Sequence, residues 1–305
     1  MGRYDILREI ERLDPVRDHQ RIVHLSFGYE FPWDAVRSLE IALYRTYCVP
    51  SISALLDRTR EFYEHTQRRY DDTSIIVAEM CEWGYESGRG KAALDRMNWA
   101  HGHYRIANDD FLYVLSTFIY EPVRWIDAVG WRRTCENERL GYYYFWHAVG
   151  TRMGITDIPA SYDAFEAWAR DYERAQFRFA ETNERIGTAT RDLFASWFPR
   201  ILTPFVRIGI YAMLDDAMIH SFGFPRPLPA TRTLLRGALR LRGAFVRWLP
   251  PRATGHFFTD NRNRTHPRGY DISALGPRRL VAAESRRLTR ANGDDERAPE
   301  RNAIA

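Results

Sequence analysis

Lysine is almost absent from this 305-residue sequence: Lys91 is the only one, and arginine carries the other positive side-chain charges. The formal net charge is +4 and the isoelectric point is about 9.0, so the chain is mildly basic. A charge of this size does not by itself indicate nucleic acid, and no DNA-reading motif accompanies it. We therefore predict no nucleic-acid partner.

Cysteine is scarce as well, with only Cys48, Cys81 and Cys135. Their wide spacing forms no CxxC or zinc-binding pattern, and their odd number argues against a fully paired disulfide framework. The N-terminal residues MGRYDILREIERLD lack the apolar core of a signal peptide, and no run of about 18 uncharged apolar residues follows. We predict reduced thiols, a cytoplasmic location and no membrane-spanning helix.

Several common catalytic signatures are also missing from the sequence. There is no HExxH motif, which argues against zincin chemistry. There is no GxSxG, P-loop or GxGxxG motif either, so the usual hydrolase, nucleotide-triphosphatase and dinucleotide-binding sites are not indicated.

Aromatic and helix-forming residues, by contrast, are abundant. Aromatic residues make up 14% and hydrophobic residues 45% of the chain, enough for a large core or an apolar pocket. Helical periodicity dominates, and few segments alternate with a period of two. We predict an all-α fold with one domain of about ten helices over residues 1–280, followed by a disordered tail over 281–305.

The predicted helices follow local start and stop signals. Pro32 begins the first strong helix, Ser51 and Asn108 are candidate N-caps, and Pro122 is expected to kink its helix. Residues 250–278 lack periodicity and are expected to form a looped arm. The main predicted helices cover residues 32–47, 51–63, 70–83, 91–105, 109–126, 134–152, 161–185, 189–220 and 230–248.

One predicted helix carries a candidate metal ligand. In residues 91–105, Leu94, Met97 and His101 share an apolar face at spacing i, i+3, i+7. His103 points about 200° away from His101 on a regular helix, so the two cannot bind one metal together. Taken alone, a histidine on an apolar face is more often a hydrogen-bonded core residue than a ligand.

A resemblance to a known family changes that interpretation. Residues 96–126 resemble the central motif of the MpaB and rubber-oxygenase (latex-clearing protein) family, which combines MNxxHxxY with NDDxLYxLxxFxxEPxRW. Residues 31–59 and 145–155 are similar to further family segments, and the resemblance covers roughly residues 25–275. The matching motif residues are Met97, Asn98, His101, Tyr104, Asn108, Asp109, Asp110, Leu112, Tyr113, Phe118, Glu121, Pro122, Arg124 and Trp125.

The resemblance implies an all-α domain that encloses a haem b pocket. His101 would be the axial iron ligand, with Met97 and Tyr104 beside the cofactor. An arginine would bind the haem propionates. The candidates for that role are Arg69, Arg105 and Arg124, and the sequence does not separate them. Only Arg124 belongs to the matched motif.

On the distal side of the haem, rubber oxygenases have a Lys-Thr pair and a glutamate. By order and spacing these correspond to Arg58-Thr59 and Glu40, although Glu40 fits a helix-surface acid equally well. Arginine stays protonated and cannot act as a neutral amine ligand, so we expect the sixth iron position to be open or held by water. Arg58 and Thr59 can donate hydrogen bonds to dioxygen, and Glu40 can remove an allylic proton.

The implied function is a haem b-dependent oxygenase that uses O₂ to cleave a C=C bond in an apolar, isoprenoid-like substrate. The alternative is a cofactor-free helical protein that carries a lipid or terpenoid. A non-haem iron site is disfavoured, because it needs two histidines and a carboxylate in a facial arrangement. The substrate's identity and the oligomeric state are left open.

Residues 231–252 suggest a second kind of partner. They contain six arginines and no acid, and Arg232, Arg236 and Arg240 share one helical face. This segment allows peripheral contact with anionic lipid. The alternative is a core-packed helix with a solvated basic face.

Overall fold

A computed structural model describes residues 2–295, with side chains described through residue 289. Within that range the regular elements are helices, and the structure contains no β-strand, which confirms the all-α prediction. Fifteen α-helices are present in this part of the chain, against about ten predicted. Several predicted helices are divided, and residues 5–10, 19–25 and 278–295 form helices that were not predicted.

The first nine helices form the amino-terminal half of the chain. A π-helix, Ser26–Glu30, lies between α2 and α3. The bounds are α1 Asp5–Ile10, α2 His19–Leu25, α3 Pro32–Tyr47, α4 Pro50–Thr59, α5 Glu61–Glu64, α6 Thr66–Trp83, α7 Gly88–His101, α8 Asn108–Val129 and α9 Glu136–Arg152.

Six further helices complete the described chain. Short 3₁₀ helices at Arg200–Leu202, Phe258–Asp260 and Ile272–Ala274 connect them. The α-helices are α10 Tyr162–Gln176, α11 Glu181–Ser196, α12 Thr203–Met213, α13 Asp216–Phe222, α14 Pro229–Trp248 and α15 Arg278–Asp295.

Several local predictions were wrong in detail. Ser51 does not cap α4, which begins at Pro50; its hydroxyl instead donates to Asp110 at 2.8 Å. Asn108 is the first residue of α8, and its side chain exchanges hydrogen bonds with the Thr156 backbone. The predicted helix at 161–185 is divided between Gln176 and Glu181. The predicted helix at 189–220 is interrupted at 197–202 and again at 214–215. In the first two cases a tertiary partner competes with the local cap.

Two large hydrophobic clusters form most of the core. The larger one joins α2, α6, α7, α8 and α9, with Tyr142, Phe145 and Ile119 fully buried. The second lies where α3, α11 and α13 meet, around Tyr44 and Phe222. α3 packs along α8, and α6 packs along α7.

Buried charges connect the helices outside the hydrophobic clusters. Arg132 binds Glu30 at 2.8 Å and Glu138 at 2.7 Å, and both glutamates are at most 2% exposed. Arg45 similarly binds Glu121 at 3.0 Å and Glu173 at 3.2 Å. Such groups are costly to bury alone, so each depends on its partners.

The predicted looped arm at 250–278 is present, and it is tied to α6. Asp71 accepts a hydrogen bond from the Thr265 backbone at 3.0 Å, and Asp72 binds His266 at 2.7 Å and the Gly276 N–H at 2.9 Å. These contacts place the end of the arm beside α6 and α7.

The predicted disordered tail differs from the structure over residues 281–295, which belong to α15. Glu284 on this helix binds the buried Arg96 of α7 at 2.8 Å, and Arg96 also donates to the Leu275 carbonyl at 2.7 Å. This tertiary anchor supplies a partner that local composition does not reveal. Residues 296–305 lie outside the described residues.

Among the described helices, none is both long and apolar enough to span a bilayer.

Candidate active site

A cavity of about 550 Å³ lies between α4, α6, α7 and α8, and the end of the arm closes part of it. That volume is within the range of about 300–1,000 Å³ usual for ligand and cofactor sites. Its walls are mainly apolar. The lining includes Leu43, Ile52, Leu55, Met97, Phe111, Val114, Phe118, Trp146, Met153 and Ile155.

His101, the last residue of α7, lies in the wall of this cavity. Its ring packs edge-on against Phe111, with the ring centres 5.4 Å apart. Its Nδ1 is buried and has no hydrogen-bond partner among the described residues. Burial, assisted by the positive charge of Arg69, lowers the pKa of His101 to about 4. The imidazole is therefore neutral at pH 7, the form that binds metals.

His103 does not line this cavity but lies at the adjoining outer pocket, with Arg58 and Tyr104. It is exposed and follows the helix, and its Nδ1 lies 2.7 Å from the Trp99 carbonyl oxygen. Only one histidine of the HxH pair therefore lines the main cavity.

The other motif residues of α4 and α7 also line the cavity. Met97 lies one turn before His101, and Tyr104 lies just after the helix. Arg58 is exposed at the mouth and forms no ion pair among the described residues. The Thr59 hydroxyl donates to the Leu56 carbonyl at 2.7 Å. The structure thus brings these four predicted side chains together with His101.

The arginine candidates for propionate binding are separated by their positions. Arg124 does not line the cavity: it forms ion pairs with Glu121 at 2.6 Å and Glu166 at 3.4 Å. Arg69 and Arg105 do line it. The position of Arg124 therefore does not favour the cofactor role suggested by the motif, and it instead crosslinks α8 and α10.

Glu40 is buried but does not line the main cavity. It faces a side cavity of about 50 Å³ that shares Leu43, Tyr70 and Phe118 with the main one. The Tyr70 hydroxyl donates to its carboxylate at 2.6 Å, and Arg37 binds it at 2.7 Å. Burial raises the pKa of Glu40 to about 7, although Arg37 and Tyr70 oppose that rise. The alternative of a helix-surface acid is therefore wrong.

Three polar residues of the cavity wall were not assigned to the site from sequence. Trp146 is 2% exposed, and its Nε1 has no partner among the described residues. Asp110 accepts hydrogen bonds from Ser51 and from Tyr172 at 2.6 Å, and Glu61 is 6% exposed. Trp146 and Asp110 belong to segments that match the family, so the resemblance could have pointed to them. No sequence pattern pointed to Glu61.

These residues fit a haem better than an ion held by protein ligands alone. Within residues 2–295, no group of three or more His, Cys, Asp or Glu side chains comes together as a metal site. A haem needs only one protein ligand, an apolar cavity and a cation for its propionates. His101, the cavity walls and the arginines at positions 58, 69 and 105 meet those needs.

The fold and the cavity define an all-α protein with a single histidine in an apolar ligand site. Residues 40–248 match the family model described as "ER-bound oxygenase mpaB/B'/Rubber oxygenase, catalytic domain". The match covers more than half of the chain, and the chain therefore belongs to this family.

Similar proteins point to the same family. The chain is 30% identical over 242 residues to the ER-bound oxygenase mpaB' of Penicillium brevicompactum, covering 73% of this chain and 57% of that protein. It is 30% identical over 208 residues to the ER-bound oxygenase mpaB of Penicillium roqueforti (strain FM164), covering 62% of this chain and 70% of that protein. The chain thus spans little more than half the length of the first relative.

The fold also resembles a solved structure, that of the latex clearing protein LCP in the closed state. The TM-score is 0.52 at 15% sequence identity, and the likeness covers 81% of this chain and 73% of the other. At this level of identity the likeness concerns the fold alone.

Proposed function

We propose that this protein is a haem b-dependent oxygenase with His101 as the protein ligand to the iron. The observation that carries the proposal is the state of His101: it is neutral, lines an apolar cavity, and has an unpartnered Nδ1. An imidazole without a partner in a wall of this kind is expensive to bury unless a ligand uses it. Membership of an oxygenase family supports the same reading.

When bound, the haem supplies the oxygen chemistry, and the protein supplies its position and surroundings. His101 offers a neutral nitrogen at the end of α7. Arg69 and Arg105, which line the cavity, offer permanent positive charge to the propionates. The apolar walls exclude water from the space in which an apolar substrate would lie.

Arg58 and Thr59 are the proposed polar groups on the side of O₂ and substrate. Arg58 is a permanent cation that can donate hydrogen bonds, and it has no carboxylate partner among the described residues. Thr59 already donates to Leu56, so its hydroxyl oxygen is available chiefly as an acceptor. In that role it would orient a donor rather than polarise dioxygen, which differs from the role expected from sequence.

Glu40 is the proposed proton acceptor. A carboxylate with a pKa of about 7 is well matched to accept a proton near neutral pH. Because it lies behind Tyr70 in the side cavity, only a substrate chain that extends past Tyr70 can reach it directly. A long, thin, unsaturated chain has that shape, and we propose oxidative cleavage of a C=C bond in an isoprenoid-like substrate.

The test is the absorption spectrum of the purified protein, with haem supplied during expression and with dithionite and CO added. We expect a Soret band in the wild-type protein and its loss in His101→Ala. His103→Ala is the matched control, because His103 lies two residues away but outside the main cavity; its Soret band should be unchanged.

A colourless wild-type protein after haem supplementation would overturn the proposal. So would a Soret band of unchanged position and intensity in His101→Ala. Binding of a terpenoid or fatty acid by such a colourless protein would favour the cofactor-free carrier instead.

A further inference from the structure

The outer pocket adjoins the main cavity and has a volume of about 390 Å³. The two spaces share part of their walls, and we call the shared residues the neck. A ligand that fills both spaces must pass through the neck, where polar side chains interrupt the apolar lining. The neck consists of Leu55, Arg58, Thr59, Glu61, Tyr104, Arg105 and Pro277.

Glu61 is a buried carboxylate of the neck that has no protein partner. It is 6% exposed, and its carboxylate forms no hydrogen bond or ion pair among the described residues. By contrast, the buried Glu30 and Glu138 both bind Arg132. Because it is costly to remove a carboxylate from water without a partner, Glu61 is placed to accept a hydrogen bond from a group that enters the neck.

The backbone holds Glu61 at a turn of unusual conformation. Arg60 has a φ of +60°, in the left-handed region that few residues other than glycine adopt, and it lies between α4 and α5. The residues on either side of it, Thr59 and Glu61, both line the cavity. The Arg60 side chain is exposed and binds Glu64 at 2.9 Å. This turn therefore directs two successive polar groups of the chain to the neck.

Positive charge lies in the same neck and is also unpaired. Arg58 and Arg105 line both the cavity and the outer pocket, and neither forms an ion pair among the described residues. Burial raises the pKa of the Tyr104 phenol; Arg69 opposes that rise, and Glu61 adds to it. Charges of both signs thus lie around Tyr104. The neck holds a hydrogen-bond acceptor and hydrogen-bond donors that do not satisfy each other.

We propose that the neck binds an alcohol hydroxyl at the polar end of the substrate, with Glu61 accepting a hydrogen bond from it and Arg58 donating one to it. A hydroxyl is both donor and acceptor, so one such group satisfies both side chains. A carboxylate would be repelled by Glu61, and an ammonium group would be repelled by the arginines.

The substrate class that follows is an unsaturated, isoprenoid-like alcohol whose chain extends from the neck toward Tyr70. Glu61 is then the residue that selects the polar end of the substrate, while the apolar walls accept the chain. Arg105 is left for the propionates, as proposed above. The inference rests on the proposed function for the apolar chain, but the binding of the hydroxyl does not require the iron.

The test is equilibrium dialysis of the full chain, as purified, against radiolabelled farnesol, farnesene and farnesoate. The three probes share an isoprenoid chain and differ in whether it carries a hydroxyl, no polar group or a carboxylate. At neutral pH we expect farnesoate to bind about tenfold more weakly than farnesol. Glu61→Leu should reduce the preference for farnesol over farnesene roughly tenfold to hundredfold, because it removes a hydrogen bond to a charged group. Glu61→Gln keeps a neutral acceptor and should lose less of the preference.

Glu64→Leu is the matched control for Glu61→Leu. It removes the same charge three residues later, at a carboxylate that does not line the neck. The control should keep the wild-type preference among the probes. A residue with only a structural role would change the affinity for all three probes alike, so the ratio of affinities identifies recognition of the hydroxyl. Thermal melting should show that each variant is folded.

Tighter binding of farnesoate than of farnesol would overturn the proposal, because the arginines would then select the ligand. It would also fail if none of the probes bound, if Glu61→Leu kept the wild-type ratio of farnesol to farnesene affinity, or if Glu64→Leu lost it equally.

The absorption spectrum separates this inference from the proposed function. A Soret band without a preference that depends on Glu61 refutes the hydroxyl site alone. A preference that depends on Glu61 in a colourless protein refutes the haem and retains the hydroxyl site.

Discussion

Glu40 offers a test of how burial controls charge in this fold. Its side chain lies on α3 and is 6% exposed, and its carboxylate is held by the Tyr70 hydroxyl and by Arg37. Loss of solvation raises its pKa from the ordinary value of 4.5 to about 7. The folded protein therefore favours the protonated, uncharged form, which Gln imitates in shape and hydrogen bonding.

The magnitude follows from linkage between protonation and folding. The folded-state pKa is raised, so the stabilisation by this group is present below pH 4.5 and is lost as the pH rises to about 7. At about 1.4 kcal/mol per pH unit, the loss is slightly more than about 3 kcal/mol at pH 8. Gln at position 40 does not ionise, so the Glu40→Gln variant does not lose this stability as the pH rises. Its free energy of unfolding, relative to that of the wild-type protein, should therefore increase by about 2–3 kcal/mol from pH 5 to pH 8.

The assay is urea unfolding of both proteins at pH 5 and pH 8, with Glu11→Gln as an exposed control. The control should shift by less than about 0.5 kcal/mol at either pH. If Glu40→Gln shows the same difference from the wild-type protein at both pH values, the carboxyl is not held in its neutral form. If its relative stability falls at pH 8, the Arg37 ion pair outweighs the burial, and the reasoning is wrong in sign.

Other predictions concern packing and the arm. Replacing Arg132 with Met strands two buried glutamates and should cost about 3–5 kcal/mol in urea unfolding at pH 7, whereas a fully tolerated change would mean that water reaches them. Gly90→Ala places a Cβ 1.5 Å from the Gly84 carbonyl oxygen, so we expect a loss of about 1–3 kcal/mol or more, measured by thermal melting. His266→Ala removes the 2.7 Å contact with the buried Asp72, and limited proteolysis should then cut the 250–278 arm faster while the remaining fold is retained; an unchanged rate would show that other contacts suffice.

Much of the helical fold was predictable because its signals are local. Pro32 begins α3 as expected, since proline suits the first turn of a helix. The acids of α8 lie in its first turn, where the helix dipole favours them. The failures occurred where a distant partner competes: Asn108 binds the Thr156 backbone, and Glu284 anchors a helix in a segment whose composition indicates disorder.

The candidate site also has a part that could be predicted from sequence and a part that could not. The motif residues Met97, His101 and Tyr104 are close in sequence, so one helix end brings them to one place. Arg58 and Thr59 reach the same cavity from α4, as the resemblance implied. The arginine that binds the propionates could not be chosen from sequence, because the three candidates carry the same charge. Only their neighbours in the folded protein distinguish them.

The helical character of this chain could be predicted from residue spacing along each helix, and its motifs were enough to recognise the family. The choice of His101 as the candidate ligand came from that resemblance and not from spacing. Three features became visible only in the folded protein: Arg124 crosslinks α8 and α10, Glu40 lies behind Tyr70, and α14 has a second, exposed apolar face. Burial and charge pairing depend on residues that are far apart in sequence and become neighbours only in the folded chain, so local sequence patterns do not predict them.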